Sequence, residues 1–122
     1  MIIGLVNRLA KDIATAVDIN NNKVIYELKK KSFKIIQVGR LSFKEQIRLF
    51  SNAKIIIGPH GAAFTNLVFC KPGTKVVELR SPTSGDSIKN ISKKNNLNYD
   101  PIIVDSKQIY KIDFPNQQGS HQ

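Results

Sequence analysis

The 122-residue chain holds one cysteine, Cys70, and no tryptophan. A single thiol excludes an internal disulfide framework, and this suits a reducing, cytoplasmic setting. No apolar run approaches the ~20 residues that cross a bilayer as a helix, so no membrane span is expected. The opening residues, MIIGLVNR, lack the basic region and long apolar stretch of a secretion signal. Histidine is scarce, with His60 and His121 as its only members. Acidic residues are few, and none form the D-x-D pair that holds a divalent ion beside a diphosphate. A metal is therefore not expected, nor is any other cofactor.

Acidic scarcity leaves a formal net charge of +10. Such a balance favours phosphate-bearing partners of any kind. Much of it comes from scattered lysines, such as Lys29, Lys30, Lys31, Lys93 and Lys94. These fall near the expected C-termini of helices, where cations complement the helix dipole. No basic stripe interleaved with aromatics is present to stack bases, so nucleic acid is not expected as a partner.

Strand and helix patterns alternate along the chain. Residues 2–6 (IIGLV) read as a buried strand, and the polar stretch Asp18 to Asn22 can cap a helix. Val24, Ile25 and Leu28 recur at helical spacing, and Phe33 to Val38 is a second strand. Ser42 and Glu45 form a capping box for a helix whose apolar face is Phe43, Ile47 and Phe50. Ala53 to Ile57 is a third strand. A short helix from Gly61 to Phe69 follows, with Phe64, Leu67 and Val68 facing the core. Pro72-Gly73 turns into a fourth strand, Lys75 to Leu79; Ile88 and Ile91 mark another helix, and Tyr99 to Val104 a fifth strand. Continuous apolar strands alternating with helices imply an α/β domain: a mainly parallel five-stranded sheet with helices on both faces. The domain is expected over residues 1–110, with a polar, frayed tail over 111–122.

Ligands of such sheets bind beyond the carboxyl ends of the strands. One such end carries GPHGAAFTN, Gly58 to Asn66. Gly61, Ala62 and Ala63 have little or no side chain, so a ligand can approach the backbone. The amides of the following helical turn favour an anion, and a pyrophosphate is the natural guest. His60, Thr65 and Asn66 can add hydrogen bonds. A second end carries Glu78, followed by Arg80 and Ser81, where a carboxylate can accept from both ribose hydroxyls. The same residues also have structural readings. The Gly-Ala-Ala turn can serve tight packing, His60 can cap the helix, and Glu78 can pair with a surface lysine.

The longer stretch, Leu41 to Leu79, resembles glycosyltransferase family 61. It carries a similar S-F-x-E-Q helix start, G-P-H-G-A turn, T-N-L-x-F helix and P-G-T-K-V-x-E-L strand. The resemblance implies a Rossmann-like domain that is one half of a two-domain GT-B arrangement, with a nucleotide sugar in the cleft. It also implies metal-independent, inverting transfer of a sugar such as xylose or N-acetylglucosamine from a UDP donor to a glycan or protein acceptor. Gly58 to Asn66, with Glu78, would then bind the donor, and His60 is the candidate catalytic residue. Arg8, in V-N-R, matches the first arginine of the family's I-S-R strand end. The segment KDIATAVDINNN supplies no second arginine, and Lys11 is the nearest cation to replace it. The family's N-terminal acceptor-binding domain has no counterpart here, so the chain by itself is expected to be an incomplete enzyme that works with a separate N-terminal domain chain. In a two-domain cleft that other half can also supply the base. The alternative is a non-catalytic module that binds a nucleotide or sugar phosphate and docks a partner.

Overall fold

The computed structural model describes residues 14–103. The strand expected at 2–6, Arg8, Lys11 and the tail from 111 lie outside the described residues.

The chain runs β1 (Ala14–Val17), α1 (Asn22–Lys30), β2 (Lys34–Ile36), a 3-10 turn (Val38–Arg40), α2 (Phe43–Asn52) and β3 (Ile55–Pro59). A 3-10 helix (Ala62–Phe69), β4 (Lys75–Arg80), α3 (Ser87–Lys94) and β5 (Asn98–Ile103) complete it. The five strands form one sheet of order β2-β1-β3-β4-β5, and every pairing is parallel. This is a Rossmann-like, doubly wound arrangement. The chain leaves β1 toward β2 on one side and returns to β3 on the other, so strand order reverses between β1 and β3.

Side-chain caps start α1 and α2. The Asn21 side chain accepts from the amides of Lys23 and Val24 at 2.9 and 3.1 Å and caps α1. The Ser42–Glu45 capping box forms as expected: the Glu45 amide donates to Ser42 Oγ at 3.1 Å, and the Ser42 amide to Glu45 Oε1 at 2.8 Å. Before β4, Gly73 adopts φ 92°, a left-handed turn that favours glycine.

Alternate residues of the central strands feed two cores. On one face Ala14, Ala16, Ile55, Ile57, Val77 and Leu79 pack with Val24 and Leu28 of α1. On the other, Val17, Ile56 and Val76 pack with Phe50 of α2, Phe64 and Leu67 of the 3-10 helix, and Ile88 of α3. Two expectations fail at this level. Val68 does not face the core and is 51% exposed. A 3-10 helix repeats every three residues, so Phe64, Leu67 and then Cys70 stack inward while Val68 rotates out. Phe43 is 67% exposed at the first position of α2, where its ring packs edge-to-face with Phe69, with ring centroids 5.9 Å apart. Phe50 alone of α2 is fully buried, with Leu49 packed beside it.

The two glycines of the GPHG turn do different work. A Cβ on Gly58 would stand 2.7 Å from Val17 Cγ2 and 2.8 Å from the Val17 carbonyl oxygen. Gly58 therefore permits the close approach of β3 to β1. A Cβ on Gly61 would meet nothing closer than the Pro59 carbonyl at 3.9 Å, and its backbone is extended. Gly58→Ala is expected to cost about 1–3 kcal/mol of stability through overpacking, and Gly61→Val to leave stability nearly unchanged. Urea unfolding of the two variants checks both.

Candidate functional site

Four loops emerge at the carboxyl ends of the strands. After β1, Asp18 takes a left-handed conformation (φ 55°), which a short acidic side chain tolerates. Its amide donates to the Ile36 carbonyl at 2.9 Å, and its Oδ1 accepts from the Val38 amide at 2.8 Å. Asp18 thus staples the loops after β1 and β2. Next to this staple, at the reversal of strand order, lies an open depression of about 420 Å³. Asp18, Val38 and Gly39 form one wall, and Phe43 and Gln46 of α2 a second. Ala62, Ala63, Thr65 and Asn66 form the third.

Polar side chains brace these walls. Asn66 is 7% exposed, and its Nδ2 donates to Gln46 Oε1 at 3.0 Å and to the Ala63 carbonyl at 3.2 Å. Gln46 Nε2 in turn donates to the Val38 and Leu41 carbonyls, both at 3.2 Å. Thr65 Oγ1 donates to the Ala62 carbonyl at 2.9 Å and stays exposed. The structure therefore brings Ala62, Ala63, Thr65 and Asn66 to one depression, while Gly58 is buried against Val17. Asp18, Gly39 and Gln46 also line it, although the sequence reading placed none of them in the site. Asp18 is intelligible as a site residue only once β1 is recognised as a strand that ends before it.

His60 and Gly61 do not line the depression, although they precede Ala62 in the chain; His60 instead engages β4. Its amide donates to the Leu79 carbonyl at 3.0 Å, which extends the β3–β4 pairing by one residue. Its ring Nδ1 meets Glu78 Oε2. Glu78 has no exposed surface, and its other oxygen, Oε1, accepts from the Tyr99 hydroxyl on β5. The Glu78 carboxylate lies inside the protein with both oxygens engaged, not open to a ribose. Arg80 Nη1 is 3.4 Å from the Tyr99 oxygen and 4.0 Å from Glu78 Oε1. Arg80 also donates to the Ser84 carbonyl and lies 3.6 Å from Asp86, and so holds the loop after β4. Tyr99 reads in the sequence as a strand residue only. Its register opposite Val76, one inward position before Glu78, is what aims it at the carboxylate.

The imidazole side chain is 34% exposed above this buried cluster. When a carboxylate takes the Nδ1–H, the lone pair is left on Nε2, which can then accept a proton or a hydrogen bond. Among the described residues, no three His, Cys, Asp or Glu side chains gather to hold a metal ion. Two further depressions, of about 460 and 380 Å³, are lined by residues such as Lys54 and Lys71, and Thr15 and Asn52. The first lies against the amino ends of β3 and β4, away from the loops that ligands of parallel sheets use.

Burial, and then the hydrogen bond to Glu78, push the Tyr99 phenol above its ordinary value. The Arg80 guanidinium is held above its own, first by the Tyr99 hydrogen bond. Tyr99 is thus expected to stay protonated at a pH where an exposed tyrosine ionises, and Glu78→Gln to reverse part of that rise. A carbon-13 NMR titration of the tyrosine rings measures it. The stability this group contributes is full below the ordinary tyrosine value and is lost as pH rises through the higher, folded one.

Comparison with known proteins agrees with this architecture. The family model for Glycosyltransferase 61 matches residues 3–77, more than half of the chain. An EGF domain-specific O-linked N-acetylglucosamine transferase of Gallus gallus is 29% identical over 108 residues, 84% of this chain and 19% of the chicken protein. A beta-1,2-xylosyltransferase of Oryza sativa subsp. japonica is 44% identical over 43 residues, 35% of this chain and 8% of the rice protein. The Arabidopsis thaliana beta-1,2-xylosyltransferase is 39% identical over 44 residues, 36% of this chain and 8% of its own length. The chain spans about a fifth or less of the length of these relatives. With the matched segment running through β1, β3 and the GPHGAAFTN turn, the chain belongs to glycosyltransferase family 61.

Proposed function

We propose that this domain binds the nucleotide-sugar donor, a UDP sugar, of an inverting glycosyltransferase. The observation that carries the reading is the depression at the reversal of strand order, walled on one side by the small residues Ala62 and Ala63. The diphosphate would lie against the backbone from Gly61 to Ala63, where side chains leave room and amides can donate. Arg8, by its match to the family, would add positive charge to the leaving group. Thr65 would supply a hydroxyl at the rim, and Asn66 would shape the wall through Gln46. The sugar is xylose or N-acetylglucosamine by analogy with the relatives' names, and the acceptor is a glycan or protein.

His60 is the proposed base. In inverting transfer a base removes the acceptor hydroxyl proton as the diphosphate departs. An imidazole with Nδ1 held by Glu78 has Nε2 free for that proton. Glu78 then acts through His60 and does not meet the ribose itself. Donor and acceptor must align within about 3–3.5 Å with water kept out, which calls for an acceptor-binding domain over the open side of the site.

UDP is expected to bind this chain, and Gly61→Val to weaken binding at least tenfold in a protein of unchanged stability. Isothermal titration calorimetry at modest salt measures it; full affinity in the variant would remove the turn from the site. EDTA is expected to leave UDP affinity unchanged, and a loss restored by magnesium would show that a metal takes part. With radiolabelled donor, the chain alone is expected to give slow donor hydrolysis at most, and robust transfer would place the whole reaction within these residues.

A further inference from the structure

The Glu78 carboxylate is fully buried, and a full negative charge beneath His60 would draw a second proton onto the ring. A base must keep Nε2 bare, so the charge on Glu78 has to be shared. The fold supplies two groups that share it. The Tyr99 hydroxyl donates to Glu78 Oε1, the oxygen that His60 does not use. The Arg80 guanidinium lies 4.0 Å from that same oxygen and 3.4 Å from the Tyr99 oxygen. Arg80 is itself fixed, by the Ser84 carbonyl and by Asp86, and its side chain is 11% exposed.

From this geometry we infer that Tyr99 and Arg80 are positioning residues for His60, acting through Glu78. They fix the carboxylate and withdraw part of its charge, so that the ring keeps its Nδ1–H on Glu78 and presents a bare Nε2. The inference rests on the reading of His60 as the base. Among the described residues, the charged and titratable groups around the ring are Glu78 and Arg80 from β4, Tyr99 from β5 and Asp86 from the loop after β4. Asp86 is 67% exposed on the outer side of Arg80, so solvent screens most of its effect. The remaining three act on the ring in two opposite directions. Glu78 favours the imidazolium, while Tyr99 and Arg80 restrain Glu78.

This opposition makes the test specific. The His60 ring is followed by nitrogen-15 NMR across pH in the full chain without ligand, in the parent, Glu78→Gln and Tyr99→Phe proteins. Ring nitrogen shifts report both the tautomer and the pH at which the ring charges. The parent is expected to show the Nδ1–H tautomer when neutral. Glu78→Gln should move the charging transition to lower pH, and Tyr99→Phe to higher pH. Arg80→Gln should move it in the same direction as Tyr99→Phe. A general loosening of structure would move all variants alike toward an exposed histidine, and that result overturns the inference. An unchanged profile in Tyr99→Phe overturns it too, as does an Nε2–H tautomer in the parent. Should Glu78→Gln fail to fold, the Tyr99→Phe and Arg80→Gln profiles still decide. Because no ligand is present, failure here is separate from failure of UDP to bind, which would instead remove the donor-site reading.

Discussion

A carboxylate with no exposed surface must find its charge and hydrogen-bond partners inside the protein, and Glu78 is such a group. It sits near the carboxyl end of β4, pointing to the face that also holds Val76 and Phe64. Its needs fix what surrounds it. His60 must come off β3 close enough to meet one oxygen, Tyr99 must rise from β5 to meet the other, and Arg80 must fold back beside both. Arg80 then holds the loop from Ser81 to Asp86. Removing one partner would leave a buried charge partly unpaired, which typically costs several kcal/mol. The ion cluster therefore acts as a clasp across β3, β4 and β5, with Glu78 fully buried and the imidazole partly open.

The sheet topology places a depression on the same carboxyl edge. Because strand order reverses between β1 and β3, the connections after them diverge, and the carboxyl edge opens a crevice. Asp18 joins the loops on the β1–β2 side, and Gln46 with Asn66 joins α2 to the 3-10 helix on the other. Both braces are hydrogen bonds from side chains to backbone or to each other, and both leave the small residues Ala62 and Ala63 at the wall.

Much of this was legible in the residues. The apolar runs at β3 and β4 forced a parallel sheet, and the Ser42–Glu45 box forced the start of α2; of the Gly-Ala-Ala turn, Ala62 and Ala63 fall on a wall of the crevice. What was not legible depended on tertiary context. The strand Ala14–Val17 is four small residues long and shows neither strong alternation nor a bulky apolar run, so only its pairing between β2 and β3 marks it as an interior strand of the sheet. Val68 was placed inward because an α-helical period was assumed where the chain forms a 3-10 helix. The role of Glu78 was hardest to see. A charged residue at a strand end reads as exposed, and its partners His60 and Tyr99 lie 18 and 21 residues away in the sequence.

The central claim is that the nucleotide lies at the β1–β3 crevice. Backbone amide NMR of the chain titrated with UDP tests it most directly. The account predicts that the largest shifts fall on Gly61 to Asn66, with Asp18, Val38 and Gly39 following. Shifts confined to residues 51–54 and 71–75, which line the depression at the opposite end of the strands, would contradict it.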